Sequence, residues 1–261
     1  MRRAHNLRAA ARLLDGAGES MNRSSTAVLV LFCRRPTLGH GKQRLARTLG
    51  AARALAIAAA LLECALEDAA EWPGELVIAP ASPEDVPWAE GLLARPARVE
   101  PQREGNLGER LNALDAALRA RGCQQLIFIG SDAPALKVYD LLAAAHALER
   151  ADVVLIPAAD GGVTLMGSRV AWPNLADLPW GGSSLGEALQ GCCRQHGLSV
   201  LRKLASFDVD EASDLMTARV ALVGDKRPAR RRLRDLLLTA GETPRRCETG
   251  APSPASEKPR L

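Results

Sequence analysis

Four segments of this chain carry charged side chains that could bind a ligand, and three of the four also contain the glycine or proline typical of loops. They are residues 34–45, 130–134, 157–162 and 207–214. In the first, Gly39 is one of two glycines that let backbone N–H groups approach a ligand, and Lys42 and Arg44 add positive charge. This combination is suited to a diphosphate or a triphosphate. A solvated basic turn explains the segment equally well when it is taken alone.

The second segment places one carboxylate at the end of an apolar run. Asp132 follows residues 125–129 and precedes Pro134, which forces the chain to turn. A carboxylate in this position could hold Mg²⁺ or Mn²⁺ through water and phosphate oxygens. The alternative is an aspartate that caps the following helix. The metal interpretation is favoured only when the other loops are considered with it.

The third and fourth segments are also acidic. Asp160 precedes two glycines, a sequence that is equally typical of a plain hairpin turn. Asp208 and Asp210 alternate around one valine, so their carboxylates lie on one side of an extended segment. One or both could complete a metal site there. The alternative is a strand end followed by acids at the start of a helix.

The elements that must position these loops follow from the hydrophobic pattern. Residues 27–33 form a continuous apolar run, as a strand buried on both faces requires. Further strands are predicted at 75–79, 97–101, 125–129, 153–157, 163–166 and 199–201. Helices are predicted at 51–70, from 82, and at 107–121, 137–148, 183–195, 211–223 and 230–239. This alternation predicts an α/β protein with a mostly parallel sheet, in which ligands bind at the carboxyl ends of the strands.

The distribution of charge divides the chain into three parts. The net charge is +4, but residues 26–225 hold 19 Lys and Arg against 24 Asp and Glu, so the excess of positive charge lies in the two ends. We predict a flexible extension at 1–25, with translation starting at Met1 or Met21. The main domain is predicted at 26–225, and a basic helix with a disordered tail at 226–261. An acidic main domain with only eight aromatic residues argues against a nucleic-acid partner.

Several other classes of protein are excluded by what the sequence lacks. No apolar run approaches 18 residues and the first residues have no secretory core, so we expect a cytoplasmic protein without membrane insertion. The six cysteines contain no C-x-x-C pair, which favours reduced, buried thiols. The histidine spacing does not fit a zinc hydrolase, and no G-x-S-x-G motif of a serine hydrolase is present.

The loops, taken together and in order, resemble a known family. The chain is similar to the GT-A-like transferases related to 2-phospholactate guanylyltransferase, in particular to the bacterial glycosyltransferases of arsenosugar biosynthesis. The resemblance covers about residues 26–220 and depends on six collinear motifs, each of which is weak alone. The matching positions are Pro36, Gly39, Lys42, Arg44 and Leu45; Gly105, Leu107, Gly108 and Arg110; residues 130–136; Pro157, Asp160, Gly161, Gly162, Leu165 and Gly167; Trp180; and Asp208, Asp210, Asp214 and Leu215.

This resemblance implies a Rossmann-like nucleotide-diphospho-sugar transferase (GT-A) fold with three layers, α/β/α. It implies that Lys42 and Arg44 hold the phosphates, and that Asp132 holds Mg²⁺ or Mn²⁺ with Asp210 or Asp208 opposite. Asp160 would line the sugar or acceptor side. The implied catalytic residues are therefore Lys42, Asp132 and Asp160. Further positions implied to bind the nucleotide cofactor are Gly39, Gly108, Arg110, Gly161 and Gly162.

The chain departs from the family pattern at several positions. Asn106 replaces an aspartate, Val163 a tyrosine, Gly181 and Gly182 a Ser-Thr pair, and Gln43 a threonine. These departures indicate an altered substrate or lost activity. The expected function is a metal-dependent glycosyltransferase that uses a nucleotide-diphosphate sugar and a small-molecule acceptor. One alternative is a nucleotidyltransferase that joins a nucleotide from a triphosphate to a phosphorylated small molecule, and another is a non-catalytic nucleotide-binding protein.

Overall fold

Strands and helices alternate through residues 27–239, the part of the chain that the computed structural model describes. The predicted extension at 1–25 and the predicted tail from 241 lie outside the described residues. The strands are β1 (Ala27–Cys33), β2 (Leu76–Pro80), β3 (Arg98–Val99), β4 (Gln125–Ile129), β5 (Val153–Pro157), β6 (Val163–Ser168) and β7 (Val200–Arg202). The helices are α1 (Gln43–Leu49), α2 (Ala51–Glu71), α3 (Val86–Glu90), α4 (Leu107–Ala120), α5 (Val138–Ala147), α6 (Leu185–Gln195), α7 (Asp214–Ala221) and α8 (Pro228–Thr239), with a 3₁₀ turn at Pro83–Asp85.

The described strands form one sheet in the order β3-β2-β1-β4-β6-β5-β7. All neighbours are parallel except β6, which is antiparallel to both β4 and β5. The predicted mostly parallel sheet is confirmed. The reversal at β6 follows from its short connection to β5, residues 158–162, since a parallel return would need a crossover of a dozen or more residues. The carboxyl ends of β1, β4 and β5 therefore meet at one edge.

Helices cover both faces of the sheet. Leu29 and Leu31 of β1 pack in one hydrophobic cluster with residues of α2 and α5, whereas Val28 and Val30 pack in a second cluster with residues of α4 and α6. This alternation is the two-residue side-chain period of a strand. The predicted three-layer α/β/α arrangement is confirmed.

A third hydrophobic cluster joins the C-terminal helix α8 to the long helix α2. Leu233 and Leu237 of α8 are buried in it together with Ile57 and Leu61 of α2. Residues 226–261 were predicted, from their positive charge, to lie outside the main domain. In the structure, α8 is instead part of the core. Its apolar face is covered by α2, and its residues Arg230 and Arg232 pair with acids of α2.

The helices that begin within the first and fourth predicted loops, α1 and α7, do not begin where the hydrophobic pattern predicted. The segment 34–45 was predicted as a loop throughout, but α1 begins at Gln43 and buries Leu45 completely. Helix α7 was predicted from residue 211 and begins at Asp214, whose carboxylate accepts the backbone N–H groups of Asp210 and Glu211. These two bonds keep the preceding segment non-helical.

No helix within residues 27–239 is long and apolar enough to cross a membrane. The five cysteines described there are free, and Cys33, Cys64 and Cys193 are buried. Burial raises the pKa of each of these three thiols to about 12, which makes them inert at neutral pH. The cytoplasmic location stays a prediction.

Candidate active site

Lys42 lies between two of the predicted metal ligands. Its Nζ is 2.5 Å from Asp210 Oδ1 and 3.2 Å from Asp132 Oδ2. Its backbone has φ 45°, the left-handed conformation, which no other non-glycine residue in 27–239 adopts. Burial lowers the pKa of the Lys42 ammonium, but the two carboxylates outweigh this effect and raise it above its usual value. Lys42 is therefore held as a charged ammonium that bridges two loops distant in sequence.

A backbone hydrogen bond fixes the relative position of these two loops. The N–H of Val209 donates to the carbonyl oxygen of Asp132 over 3.0 Å. Because Val209 lies between Asp208 and Asp210, this bond sets both of their carboxylates against the end of β4. The sequence pattern predicted these two carboxylates on one side of an extended segment. The structure pairs that segment, through Val209, with the loop that carries Asp132.

Four carboxylates line one side of the cleft, and we call Asp132, Asp160, Asp208 and Asp210 the cleft acids. Burial raises the pKa of Asp208 to about 7, and the charges of the other three cleft acids contribute to the shift. Lys42 is the cation that contacts two members of this set. The excess of acid over base gives the cleft a strong attraction for cations.

Two cavities meet at the cleft acids. The smaller cavity, of about 260 Å³, has a basic wall that includes Arg34, Arg35 and His40 beside Lys42. The larger cavity, of about 300 Å³, contains all four cleft acids and is otherwise lined mainly by apolar side chains and glycines. Asp132 and Asp210 line both cavities. Lys42 itself lines the smaller cavity, where its ammonium contacts the two acids that the cavities share.

Apolar side chains form the wall of the larger cavity, and only four of them, Leu107, Val163, Leu165 and Trp180, belong to the motifs found in the sequence. The wall residues come from β1, β4, β6, α4, α6 and the loop before α6: Phe32, Leu107, Leu111, Phe128, Ile129, Val163, Leu165, Met166, Trp180 and Leu185. The other six are typical of an ordinary hydrophobic core, so the sequence contained no separate signal for them. Arg34 and Arg35 were within the first predicted loop, and their position directly after β1 was the available signal.

The Asp160 segment is both a hairpin turn and part of the cleft. Asp160 Oδ1 accepts the N–H of Gly162 over 2.8 Å, and the turn connects the antiparallel strands β5 and β6. Gly161 has φ +93°, and a Cβ at this position would overlap the carbonyl oxygen of Ser183. Glycine is therefore required at 161 by its conformation and by the close approach of another loop. Asp160 and Gly162 line the larger cavity.

Four predicted nucleotide-binding residues do not line either cavity, namely Gly39, Gly108, Arg110 and the Gly161 described above. Gly39 accepts a hydrogen bond from the Gln43 side chain through its carbonyl oxygen, and Arg110 Nε donates to Gly105 over 2.7 Å. Gly108 is buried where a Cβ would overlap Leu175 and crowd the Trp180 indole. In this structure, these residues shape the loops around the cleft rather than face it.

Arg44 and Asn106 also have partners within the protein. Arg44 lines the larger cavity, and its guanidinium forms an exposed ion pair of 2.9 Å with Glu211. Asn106 begins helix α4, where its side chain accepts the N–H of Glu109 and the Glu109 carboxylate accepts the N–H of Asn106. The amide side chain of Asn106 therefore has a helix-capping role.

The cleft acids have the chemistry of a divalent-cation site without a preformed cage. Within residues 27–239, no group of three or more His, Cys, Asp or Glu side chains is arranged so that it could hold a metal ion. Asp132 and Asp210 nevertheless face one small space, since both contact the same ammonium. Carboxylate oxygens are the donors that Mg²⁺ and Mn²⁺ prefer, and such ions commonly complete their coordination with water and phosphate oxygens. The residue types fit this kind of ion.

Comparison with solved structures gives the class of fold. A crystal structure from Desulfovibrio desulfuricans G20, of a protein provisionally named a nucleotide-diphospho-sugar transferase, superposes with a TM-score of 0.74 and 22% sequence identity. The match covers 83% of this chain and 98% of that chain. Identity at this level shows the fold alone. The protein therefore has the Rossmann-like fold of the nucleotide-diphospho-sugar transferases, which confirms the predicted fold class.

Two other solved structures are more distant. CMP:2-keto-3-deoxy-manno-octonic acid synthetase complexed with CTP matches with a TM-score of 0.45 and 15% identity over 76% of this chain and 98% of that chain. Rv0371C from Mycobacterium tuberculosis H37Rv, in complex with manganese, matches with a TM-score of 0.42 and 17% identity over 73% of this chain and 96% of that chain. Both TM-scores are below 0.5, so neither likeness carries an argument about this chain.

At the level of sequence, one family model matches part of the chain. The model, described as an uncharacterized protein conserved in bacteria (DUF2064), matches residues 60–182. A comparison with curated proteins gave no match. The matched span contains Asp132 and Asp160, whereas Lys42, Asp208 and Asp210 lie outside it. The relationship to 2-phospholactate guanylyltransferase stays a prediction.

Proposed function

We propose that this protein is a metal-dependent glycosyltransferase that transfers a sugar from a nucleotide-diphosphate donor to a small-molecule acceptor. The observation that carries the proposal is the position of the Lys42 ammonium, between Asp132 and Asp210 at the junction of a basic cavity and an acid-lined cavity. A diphosphate would complement the positive charge of the basic cavity, and a divalent cation would complement the carboxylates of the acid-lined cavity.

The side chains of the cleft have distinct roles in this proposal. Lys42 binds the phosphates, with Arg34 and Arg35 adding charge in the smaller cavity. Asp132 and Asp210, with Asp208 beside them, would hold Mg²⁺ or Mn²⁺. When bound, such a cation neutralises charge on the departing nucleoside diphosphate. Asp160 has one carboxylate oxygen fixed by Gly162, so its other oxygen can accept a proton from an acceptor hydroxyl.

The apolar wall of the larger cavity supports a small acceptor. The indole N–H of Trp180 donates to Leu175 over 2.8 Å, and the Thr164 hydroxyl donates to Ile156 over 3.2 Å. These polar groups of the wall are thus already occupied, and the free polar groups lie at the cleft acids. We expect a ligand here to place its reacting hydroxyl at the acids and an apolar part against the wall.

Product analysis tests the proposal directly. The purified protein is incubated with a panel of nucleotide-diphosphate sugars and Mn²⁺, and release of free nucleoside diphosphate is measured. The Asp132→Asn variant should lose metal-dependent nucleotide binding while remaining folded, and Asp235→Asn, which changes an exposed acid outside both cavities, should bind as the wild type does. Wild-type affinity in Asp132→Asn would overturn the proposed metal site.

Nucleotidyl transfer is the second candidate, favoured by the basic wall of the smaller cavity. Arg34, Arg35 and His40 beside Lys42 are suited to a departing pyrophosphate as well as to a diphosphate. Incubation with nucleoside triphosphates and phosphorylated small molecules distinguishes the two reactions, because only nucleotidyl transfer releases pyrophosphate. Metal-dependent nucleotide binding without turnover of any donor would favour the non-catalytic alternative.

A further inference from the structure

Arg230 of the C-terminal helix α8 is completely buried and makes contacts to two separate elements. On one side it pairs with Glu67 and Asp68 of α2, at 2.9 Å from Glu67 Oε2, and it donates to the carbonyl oxygen of Cys64. On the other side, its Nε donates to Pro134 over 3.3 Å and its second terminal nitrogen donates to Leu136 over 2.9 Å. The guanidinium therefore joins α2 to the loop that follows β4.

That loop carries Asp132. Pro134 and Leu136 lie two and four residues after this acid, and the Asp132 carbonyl accepts the N–H of Val209. Arg230 thus contacts this loop at Pro134 and Leu136, and Val209 contacts the same loop at Asp132, beside the cleft. Any shift of the loop would move Asp132 and, through Val209, the two acids beside it.

The two acids on α2 do not by themselves explain why arginine is at position 230. Asp68 already has a second cation, since Arg227 lies 2.7 Å from its Oδ1. The planar, forked guanidinium of Arg230 also supplies donors to backbone carbonyls on the far side, which a lysine ammonium could not reach in the same geometry. A buried carbonyl group without a hydrogen-bond donor costs free energy. The bonds from Arg230 therefore favour the loop conformation in which Pro134 and Leu136 accept them.

We propose that Arg230 is a positioning residue for the candidate active site. Its hydrogen bonds from α8 to Pro134 and Leu136 fix the loop that carries Asp132. The proposal rests on the proposed function only in giving the loop a ligand to bind. The effect on the loop is independent of that ligand, and is a property that amide exchange can measure.

The matched experiment compares Arg230→Lys with Arg227→Lys by hydrogen exchange. Both substitutions keep the charge beside Asp68, but only Arg230 reaches the Asp132 loop. We expect the amides of Val209 and Leu136 to exchange about tenfold faster or more in Arg230→Lys and at the wild-type rate in Arg227→Lys. Wild-type protection of both amides in folded Arg230→Lys overturns the proposal.

A second variant covers the case in which Arg230→Lys does not fold. Arg230→Met combined with Glu67→Gln and Asp68→Asn leaves no buried unpaired carboxylate, which is the usual cause of collapse when one member of a buried ion pair is removed. Both loop carbonyls still lose their donor. Faster exchange of Val209 and Leu136 supports the proposal, and unchanged exchange overturns it.

Titration with Mn²⁺ separates this inference from the proposed function. If the wild type binds Mn²⁺, the dissociation constant should rise about tenfold or more in Arg230→Lys and remain unchanged in Arg227→Lys, as is typical when a supporting group of a metal site is removed. Equal affinity in both variants overturns the role of Arg230 at the site. If the wild type binds no Mn²⁺, the proposed function fails, and the amide exchange still decides whether Arg230 positions the loop.

Discussion

Two clusters of charge in this protein use the same residue types to different ends. In the interior between α2 and α8, Arg227 and Arg230 pair with Glu67 and Asp68 of α2 and with Asp225, so each of these carboxylates is matched with at least one cation. In the cleft, Lys42 contacts two of the four cleft acids. Matched charges can be buried and stabilise the fold when their hydrogen bonds are complete, whereas an excess of acid at an open edge remains available for a cation.

The acids of the two clusters show this contrast in their pKa values. Burial raises the pKa of Asp68 to about 6, although Arg230 and Arg227 act in the opposite direction. Burial raises the pKa of Asp208 to about 7, and the neighbouring carboxylates act in the same direction. The arginines beside Asp68 therefore favour its ionised form, whereas the carboxylates beside Asp208 disfavour its ionised form.

Removal of the interior cluster should have the largest effect. Truncation after residue 225 deletes α8, which exposes the apolar surface of α2 and leaves Glu67 and Asp68 without Arg230. We expect a loss of more than about 5 kcal/mol in the free energy of unfolding, enough to abolish cooperative folding. Truncation after residue 240 retains α8 and serves as the control in urea denaturation followed by circular dichroism. A cooperative transition in the shorter protein at the wild-type midpoint would contradict the proposed role of α8.

Removal of the cation from the cleft should come next. Lys42→Ala leaves Asp132 and Asp210 facing each other without the ammonium between them, and removes a donor to the phosphates. We expect the affinity for a nucleoside diphosphate with Mn²⁺ to fall roughly 10- to 100-fold, as measured by calorimetry. The control is Arg121→Ala, which removes only a surface cation paired with Glu100. Equal losses in the two variants would rule out a specific role for Lys42.

Neutralising one cleft acid should change the pH dependence of stability. Because the pKa of Asp208 is raised from 3.8 to about 7, the folded metal-free protein binds a proton more tightly than the unfolded chain, and stability falls as pH rises between these values. Asp208→Asn removes this loss. We expect the variant to gain about 1 to 2 kcal/mol over the wild type at about pH 8 relative to about pH 5.

Urea denaturation of both proteins in a chelating buffer provides this measurement. Asp235→Asn is the matched control, because it changes an exposed carboxylate outside the cleft. A difference between Asp208→Asn and the wild type that is the same at both pH values would show that Asp208 does not titrate in this range.

The smallest effect is expected at the edge of the cleft. The ion pair of Arg44 and Glu211 is exposed, so Glu211→Gln should change the free energy of unfolding by less than about 0.5 kcal/mol. The same substitution frees Arg44 for a phosphate and should leave nucleotide affinity unchanged or raise it slightly. A large loss of stability would mean that the exposed pair has a structural role like that of the interior cluster.

The hydrophobic pattern predicted most of the elements that carry these clusters. The bounds of β1, β4 and β5 agree with the predicted strands, because short apolar runs rich in β-branched residues and bounded by turn residues have few other stable conformations. Helix α1 was not predicted, since seven residues with one buried leucine give little periodic signal. The direction of β6 follows from its short connection to β5, whereas the long-range bond between Val209 and Asp132 depends on a contact that no local pattern records.

The sequence by itself determined the class of fold, the segments that carry the cleft acids and the excess of acid in the main domain, because these depend on local composition and spacing. Only the tertiary structure decided that Lys42 lies between Asp132 and Asp210, that Gly108 and Arg110 do not face the cleft, and that Arg230 belongs to the core. Such outcomes depend on which distant residues meet. Folding decides which partner a charged residue meets. That partner decides whether the residue stabilises the protein or remains available to bind a ligand.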